Sequence, residues 1–459
     1  MTIAAFAIDQ LQIVRYRAHG AIDFLRRSRS DIFAWQKKAF WTLSDQAMFS
    51  GSNFLISVLL ARWLSPTAYG AYSIAYSAFL MVATLHSAIL VEPMLIFGSG
   101  KYASRFSSYF KTLLRGHVFL IVPANILLLL AGFSFGRLYS AAVRNAIWGL
   151  VVGSAGILLF WLVRRVFYVM LMPHRSAVAS GVYFLSVIAT VAVLRRTGLL
   201  SAFSAFLAMA IASVCASAAV LAVSPDVWQL NGPELRDSEV ATDHWVYGRW
   251  AVCTAAIQWF PANMYFYLLP TWQDLVATGA LRALLNVAMP VLQAISALSV
   301  LLLPSLVRER RIGPSHVTRM MLRYLLLFLV GAGLYVCLLW PFRQRVFDLA
   351  SGSNYSTYSG APLILACLLP FGSAFTSVLA NGLRALEHPD RLFWCYLTSA
   401  IGALTVGLPL TSRYGVTGAL LGIHVSSIFT IVTMVWLYRY TIRNEFSREA
   451  AALEGGVYR

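Results

Sequence analysis

The sequence predicts an all-α, polytopic membrane protein of about twelve transmembrane helices in two pseudo-symmetric six-helix bundles. Three observations lead there. Only 12% of the 459 residues are charged and 59% are hydrophobic, where a soluble domain carries roughly 25% charged residues. The apolar residues fall in continuous runs of spanning length, as in 317–340, and not in the ~10-residue alternation of a barrel strand. Features of the first half also recur 209 to 217 residues later. Hydrocarbon leaves no water to satisfy the backbone, so runs of this kind must be helices.

Taken in order, residues 1–42 mix Ile, Leu, Phe and Trp with Arg15, Arg17, Arg26, Arg27, Arg29, Lys37 and Lys38. This composition suits a basic amphipathic segment on an anionic leaflet, a disordered basic tail being the alternative. It has no compact apolar stretch followed by a small-residue cleavage site, so it does not read as a secretory signal. Spans are expected at 43–63, 70–90, 116–136, 146–172, 176–194 and 199–223, forming a first bundle over 43–223. A polar linker, 224–246, carries the turn signals Ser224-Pro225-Asp226 and Asn231-Gly232-Pro233. A second bundle, 247–440, holds spans at 247–270, 275–304, 317–340, 360–382, 391–412 and 414–438, followed by a tail, 441–459.

The net charge of +18 lies in short segments between apolar runs, which points to membrane topology and away from nucleic acid. With the N-terminus inside, 27 of the 36 Lys and Arg residues fall on the inner side and eight on the outer, and Arg282 lies within a span. That split predicts an even number of spans with both termini cytoplasmic. The five cysteines lie in apolar runs without C-x-x-C spacing and read as small core residues, so no metal site or cofactor is expected.

The repeat rests on pairs in matching contexts. Pro173-His174-Arg175 opens span five and Pro389-Asp390-Arg391 opens span eleven; Gly198 opens span six and Gly415 span twelve. Asn53 pairs with Asn263, Gly70 with Gly279 and Pro93 with Pro304. Six helices per half make the repeats parallel, related by an axis along the membrane normal, with the substrate path between the halves.

Polar groups inside spans are costly and usually face a cavity or a partner. Asp45, Ser52, Asn53 and Ser57 share one face of span one, and Thr278, Arg282, Asn286 and Gln293 share one face of span eight. Arg282 stands within a long apolar helix, where it either snorkels to the outer interface or lines a cavity and binds phosphate through its planar multi-donor fork. Arg164, Arg165 and Arg249 mark the inner mouth of such a cavity or serve as positive-inside anchors. Asp45 and Glu92 are the groups that would couple transport to an ion gradient, or else each pairs with a nearby Arg; Asp45 would alternatively cap a helix. Span seven adds Gln258, Trp259, Asn263, Tyr265 and Tyr267, aromatics that would stack on sugars or form an interface belt. His86 and His424 read as lone core or interface histidines, and Asn381 with Arg384 would line the inner mouth.

Ser44-Asp45-Gln46, Ser50-Gly51-Ser52-Asn53-Phe54, Leu60-Ala61-Arg62-Trp63-Leu64-Ser65-Pro66, Tyr69-Gly70-Ala71-Tyr72 and Val91-Glu92-Pro93-Met94 resemble the opening of bacterial polysaccharide transporters. These are the oligosaccharide flippases of exopolysaccharide, capsule and O-antigen pathways, in the multidrug/oligosaccharidyl-lipid/polysaccharide exporter superfamily. The resemblance implies two six-helix bundles in a V around a central, cationic cavity, with Asp45 and Arg282 as the positions carried over from the murein-lipid branch. Ser44 stands where that branch carries Arg, so the resemblance does not extend to murein-lipid specificity.

The expected function is therefore transbilayer movement of an undecaprenyl-diphosphate-linked oligosaccharide. Substrate contacts are expected from Arg282, Asn286, Asn53, Arg164, Arg165, Arg249, Asn263 and Gln293, and coupling from Asp45 and Glu92. Expected partners are membrane lipids and the polymerase and chain-length proteins of the same pathway. A multidrug antiporter would favour acidic cavity walls. A membrane glycosyltransferase or polymerase would need paired acids or a sizeable outer domain, and the chain has 18 carboxylates and no large outer loop.

Overall fold

The computed structural model describes residues 36–229, 235–310, 312–386 and 390–456; the side chains at 300, 301, 304, 314 and 444–456 are not described. Most of the expected amphipathic segment 1–42 lies outside the described residues, as do Pro389 and the side chain of Pro304 from the repeat pairs. Residues 36–42 are helical and continuous with span one.

Among the described residues twelve long helical runs follow one another, with no strand. Nine helices among them are long and apolar enough to cross a membrane, the last of these, Asp390–Arg443, taking in the final two runs. The first six are α1 (36–63), α2 (Pro66–His86, continued through a π turn at Ser87–Val91 into Glu92–Phe97), α3 (Phe106–Leu138), α4 (Ala141–Val169), α5 (Pro173–Arg196) and α6 (Ala202–Ala222). The second six are α7 (Asp237–Asn263, continued by Tyr265–Trp272), α8 (Leu275–Arg310), α9 (Pro314–Leu339), α10 (Ala361–Ala385), α11 (from Asp390) and α12 (to Gly456). The last helical run is divided by Gly415, whose φ of 55° and ψ of −128° are not helical, so α11 and α12 are separate crossings. Asp237 already begins α7, so helix invades the segment expected as linker.

Helix starts follow the local chemistry. Ser65, Ser140 and Ser201 each turn an extended backbone into a helix and accept an N–H of the first turn through the side chain. The helices outrun the hydrophobic windows that announce them. At 1.5 Å per residue, α8 with 36 residues spans ~54 Å, well beyond a hydrocarbon core of ~30 Å.

The duplication is visible in the packing. α3 and α9, third in each half, are the peripheral helices, each with only 17% of its apolar window buried. α2 and α8, second in each half, cross each other at the centre. Gly70 and Gly279, matched from sequence, meet at that crossing. A Cβ on Gly70 would overlap the Leu275 carbonyl, and one on Gly279 would come within 2.5 Å of the Tyr355 hydroxyl and 3.2 Å of the Gly70 nitrogen. Gly198 and Gly415, also matched, both adopt positive φ (73° and 55°), the left-handed conformation that costs glycine least.

We call the end where α1 begins proximal and the other end distal. The distal seam between the bundles is hydrogen-bonded. Ser57 Oγ donates to Asn286 Oδ1 (2.9 Å), Asn286 Nδ2 to Tyr69 Oη (3.1 Å), and Ser77 Oγ to Asn263 Oδ1 (3.1 Å). The first and last bonds form a swapped pair, α1 to α8 and α2 to α7, as pseudo-twofold symmetry requires. Arg62 to the Leu349 carbonyl and Tyr139 to the Tyr267 carbonyl extend the seam. On another side, among the described residues, α4 and α5 do not pack against α10 or α11. Wedging the distal crossing is therefore expected to open it. In Gly279→Leu, cysteines placed at Ser57 and Asn286 should cross-link less efficiently than in the parent; unchanged cross-linking would show that the seam does not depend on this approach.

At the proximal end, α7 is tied to the first bundle. Lys101 Nζ donates to Asp243 Oδ2 (2.7 Å) and lies 3.2 Å from Glu239, and Arg115 Nη2 donates to Asp237 (2.6 Å). His244 Nδ1 lies 2.8 Å from the Ile89 carbonyl, which can only accept; Nδ1 therefore carries the proton, and Nε2 accepts from Tyr109 Oη at 2.6 Å. Lys101 and Tyr102 hold the Asp243 carboxyl below the usual carboxylate range, and Arg115 and Thr112 do the same for Asp237. Asp243 and Glu239 push the Lys101 ammonium above the usual lysine range. A carboxyl lowered by folding contributes stability above its unfolded pKa and loses it as pH falls through the folded value. A raised lysine contributes below its unfolded pKa and loses it as pH rises through the folded value. Burial holds the His244 imidazole below the usual histidine range. Protection of the 237–244 amides from hydrogen exchange, corrected for intrinsic rates, is thus expected to stay level from about pH 7 to 9, to weaken below about pH 6 as His244 must take up a proton, and to weaken further below about pH 4. A steady decline from about pH 9 to 7 would refute this.

Candidate functional site

The distal seam holds a half-buried cation. Arg282, two turns into α8, points between the bundles. Its guanidinium carbon lies 4.2 Å from the Phe266 ring centroid and 4.9 Å from that of Tyr76. Tyr69, Tyr72 and Tyr76 project from one side of α2 at helical spacing, and their rings stack in sequence at 6.0 and 5.6 Å. Arg282 Nε and Nη2 are buried without a hydrogen-bond partner among the described residues. Aromatic faces offset part of the desolvation cost through cation–π attraction, but they leave the donors unused. The site therefore presents a positive charge with two N–H-bearing nitrogens unused and, among the described residues, no carboxylate paired with it.

A second feature lies within the second bundle. A cavity of about 770 Å³ is bordered by α7, α8, α10, α11 and α12. Most of its lining residues carry a hydroxyl or amide, among them Ser296, Ser373, Thr376, Ser377, Ser399 and Thr430, with Gln258 and Asn381, set among apolar side chains such as Leu292, Leu303 and Ile423. Among the described lining residues Arg384 is the charged one, and none is a carboxylate. Ser299 and Ser426, also in the lining, have hydroxyls without a partner among the described residues. On α10 the polar positions 373, 376, 377, 381 and 384 recur at helical spacing, so one face of the helix is wet. Neutral donors and acceptors in this number suit a ligand rich in hydroxyl groups, with Arg384 available for an anionic end.

A third feature is sealed inside the first bundle. Asp45, fully buried, accepts from Arg164 Nη1 (3.4 and 3.3 Å), Tyr168 Oη (2.5 Å) and Ser180 Oγ (2.5 Å). The Arg164 guanidinium also lies 3.7 Å from the Phe49 ring centroid. Twelve residues separate Asp45 from Ser57, a rotation of about 120° on a helix. The polar stripe of α1 accordingly divides: Asp45 enters the first bundle, while Ser57 reaches Asn286 of the second.

The other expected residues spread out. Asn286 and Asn263 sit at the distal seam. Asn53 and Gln293 are half-buried, and Arg249 is exposed. Arg165 is half-buried, 5.2 Å over the Tyr168 ring. Arg164 and Arg165 do not line the 770 Å³ cavity, nor does Arg282. Glu92 is exposed near the proximal end of α2, within electrostatic reach of Arg384. His86 is not alone: its Nε2 lies 2.9 Å from His117 Nδ1. His424 meets the Leu365 carbonyl.

No family model and no curated protein matches this chain. Solved structures do. The lipid II flippase MurJ in an inward closed conformation aligns over 88% of this chain and 87% of its own, with TM-score 0.66 and 13% identity. The eukaryotic MATE transporter AtDTX14 aligns over 91% and 99%, with TM-score 0.59 and 13% identity. A transporter of the MOP superfamily from Pyrococcus furiosus, described as having a binding pocket of reverse polarity, aligns over 89% and 93%, with TM-score 0.54 and 14% identity. At these identities the likeness establishes the fold: the chain has the two-bundle architecture of the MOP superfamily transporters.

Proposed function

We propose that this protein is a flippase that carries an undecaprenyl-diphosphate-linked oligosaccharide across a bacterial inner membrane, for exopolysaccharide, capsule or O-antigen synthesis. The proximal face is then cytoplasmic, with both termini there. The observation that carries this reading is the cavity rich in hydroxyl side chains, whose described lining includes Arg384 and no carboxylate. Sugars need many neutral partners and a diphosphate needs cations, whereas an organic cation would need an acid in the wall. Arg282, with unused N–H donors in the seam, would serve as the second phosphate contact as the bundles rock. Glu92, within electrostatic reach of Arg384, and Asp45 within the first bundle are the groups through which an ion gradient would act.

The test is depletion of the protein in its host. Polymer should disappear from the surface while lipid-linked repeat units accumulate in the inner leaflet. Normal display without accumulation would reject the proposal. The MATE likeness keeps a drug antiporter as the rival, and raised drug sensitivity on depletion, with polymer intact, would favour it.

A further inference from the structure

The second bundle carries an apolar trough that shares no lining residue with the 770 Å³ cavity. It encloses about 400 Å³ between α9, α10 and α12. Met321, Leu325, Phe375, Val378, Leu379 and Val435 form its walls, and Arg439 and Arg443 stand at its proximal end. Its hydroxyls are already engaged, since Thr318 Oγ1 and Tyr438 Oη lie 2.9 Å apart. The interior therefore offers little to water and suits hydrocarbon. α10 is the wall between trough and cavity: Ser373, Thr376 and Ser377 border the cavity, while Phe375, Val378 and Leu379 border the trough.

Depth in the membrane can be read from α12. Trp436 and Tyr440 flank Arg439, are 64% and 52% exposed, and stack at 6.2 Å between centroids. Exposed Trp and Tyr of this kind sit at headgroup level, which places Arg439 and Arg443 among lipid phosphates and the trough beneath them at acyl-chain depth. At about 400 Å³ the trough lies near the lower end of the roughly 300–1,000 Å³ range of small-molecule sites, room for part of one lipid chain.

We propose that this trough is a site for one anionic phospholipid, its acyl chain between α9, α10 and α12 and its phosphate against Arg439 and Arg443. Such a lipid braces α10 from the side opposite the cavity. Basic side chains beside a leaflet favour anionic over zwitterionic lipid, so charge should set the preference and the trough the retention.

The experiment is native mass spectrometry of the purified, delipidated protein in detergent, titrated separately with phosphatidylglycerol and with phosphatidylcholine. The wild-type protein should retain one phosphatidylglycerol more firmly than phosphatidylcholine. Arg439→Glu combined with Arg443→Glu should weaken phosphatidylglycerol binding by about tenfold, equivalent to about 1.4 kcal/mol, at an unchanged circular dichroism spectrum. Leu325→Trp, which fills the trough, should lower the retention of both lipids. Equal binding of the two lipids by the wild type, or wild-type phosphatidylglycerol retention in the double arginine variant, overturns the proposal.

Discussion

Replacing Arg282 with alanine is expected to reduce export on the order of 100-fold without harming the fold. The size follows from the contacts a guanidinium would make to a diphosphate, each charge-assisted hydrogen bond contributing about 1.5–3 kcal/mol. The direction of the stability change is less obvious. Nε and Nη2 are buried with no partner among the described residues, and a buried charge lacking its hydrogen bonds costs free energy. The aromatic faces of Tyr76 and Phe266 return about 2 kcal/mol when desolvated. Arg282→Met, which keeps the apolar stem and removes the charge, is therefore expected to melt at or above the wild-type temperature while exporting as poorly as the alanine variant. Arg282→Lys keeps the charge but loses the fork, and should fall between. The measurement is paired: polymer export in cells and thermal melting of the purified protein, across all three variants. Wild-type export by Arg282→Ala would remove Arg282 from the transport path. A large drop in melting temperature would make it a structural residue of the seam.

The architecture was legible because lipid imposes it. A twenty-residue apolar run has one solution in hydrocarbon, and a duplicated gene leaves its turn glycines at one offset. Gly70 and Gly279 could be paired from sequence, and the structure adds that the two meet each other on the pseudo-axis. The lining of the cavity was not legible. Serine and threonine within a membrane helix mostly serve close packing, and nothing local separates Ser373 and Ser377, which face the cavity, from Ser77, which bonds Asn263 at the seam. The spacing on α10 held a signal, a polar face ending in Asn381 and Arg384, of which only the last two residues drew notice. Arg164 misled for another reason. An arginine near a helix end reads as a topology anchor or a cavity mouth, and only the fold brings it to Asp45, 119 residues earlier.

That pairing sets the second large effect. Asp45→Asn is expected to destabilise the first bundle by about 3–5 kcal/mol, because it leaves the Arg164 charge buried and uncompensated. Asp45 and Arg164 are 0% and 4% exposed, so water cannot replace the lost carboxylate. Ser180 and Tyr168 donate to different carboxylate oxygens, and asparagine keeps only one of these acceptors, so one of the two hydroxyls must also turn to accept from the amide nitrogen. Removing both charges should recover most of the stability, since replacing a buried ion pair with apolar groups is often neutral or better. The pair Asp45→Asn and Arg164→Met therefore separates two roles that the single variant confuses. If Asp45 only neutralises Arg164, the double variant should fold and export the polymer. If Asp45 also takes up and releases the coupling ion, the double variant should fold and yet fail to respond to the gradient, even though Arg282 and the second-bundle cavity are intact. Melting temperature together with gradient-driven uptake in proteoliposomes decides between them. A double variant as unstable as Asp45→Asn would show that the pair contributes more than the cancellation of its own charges.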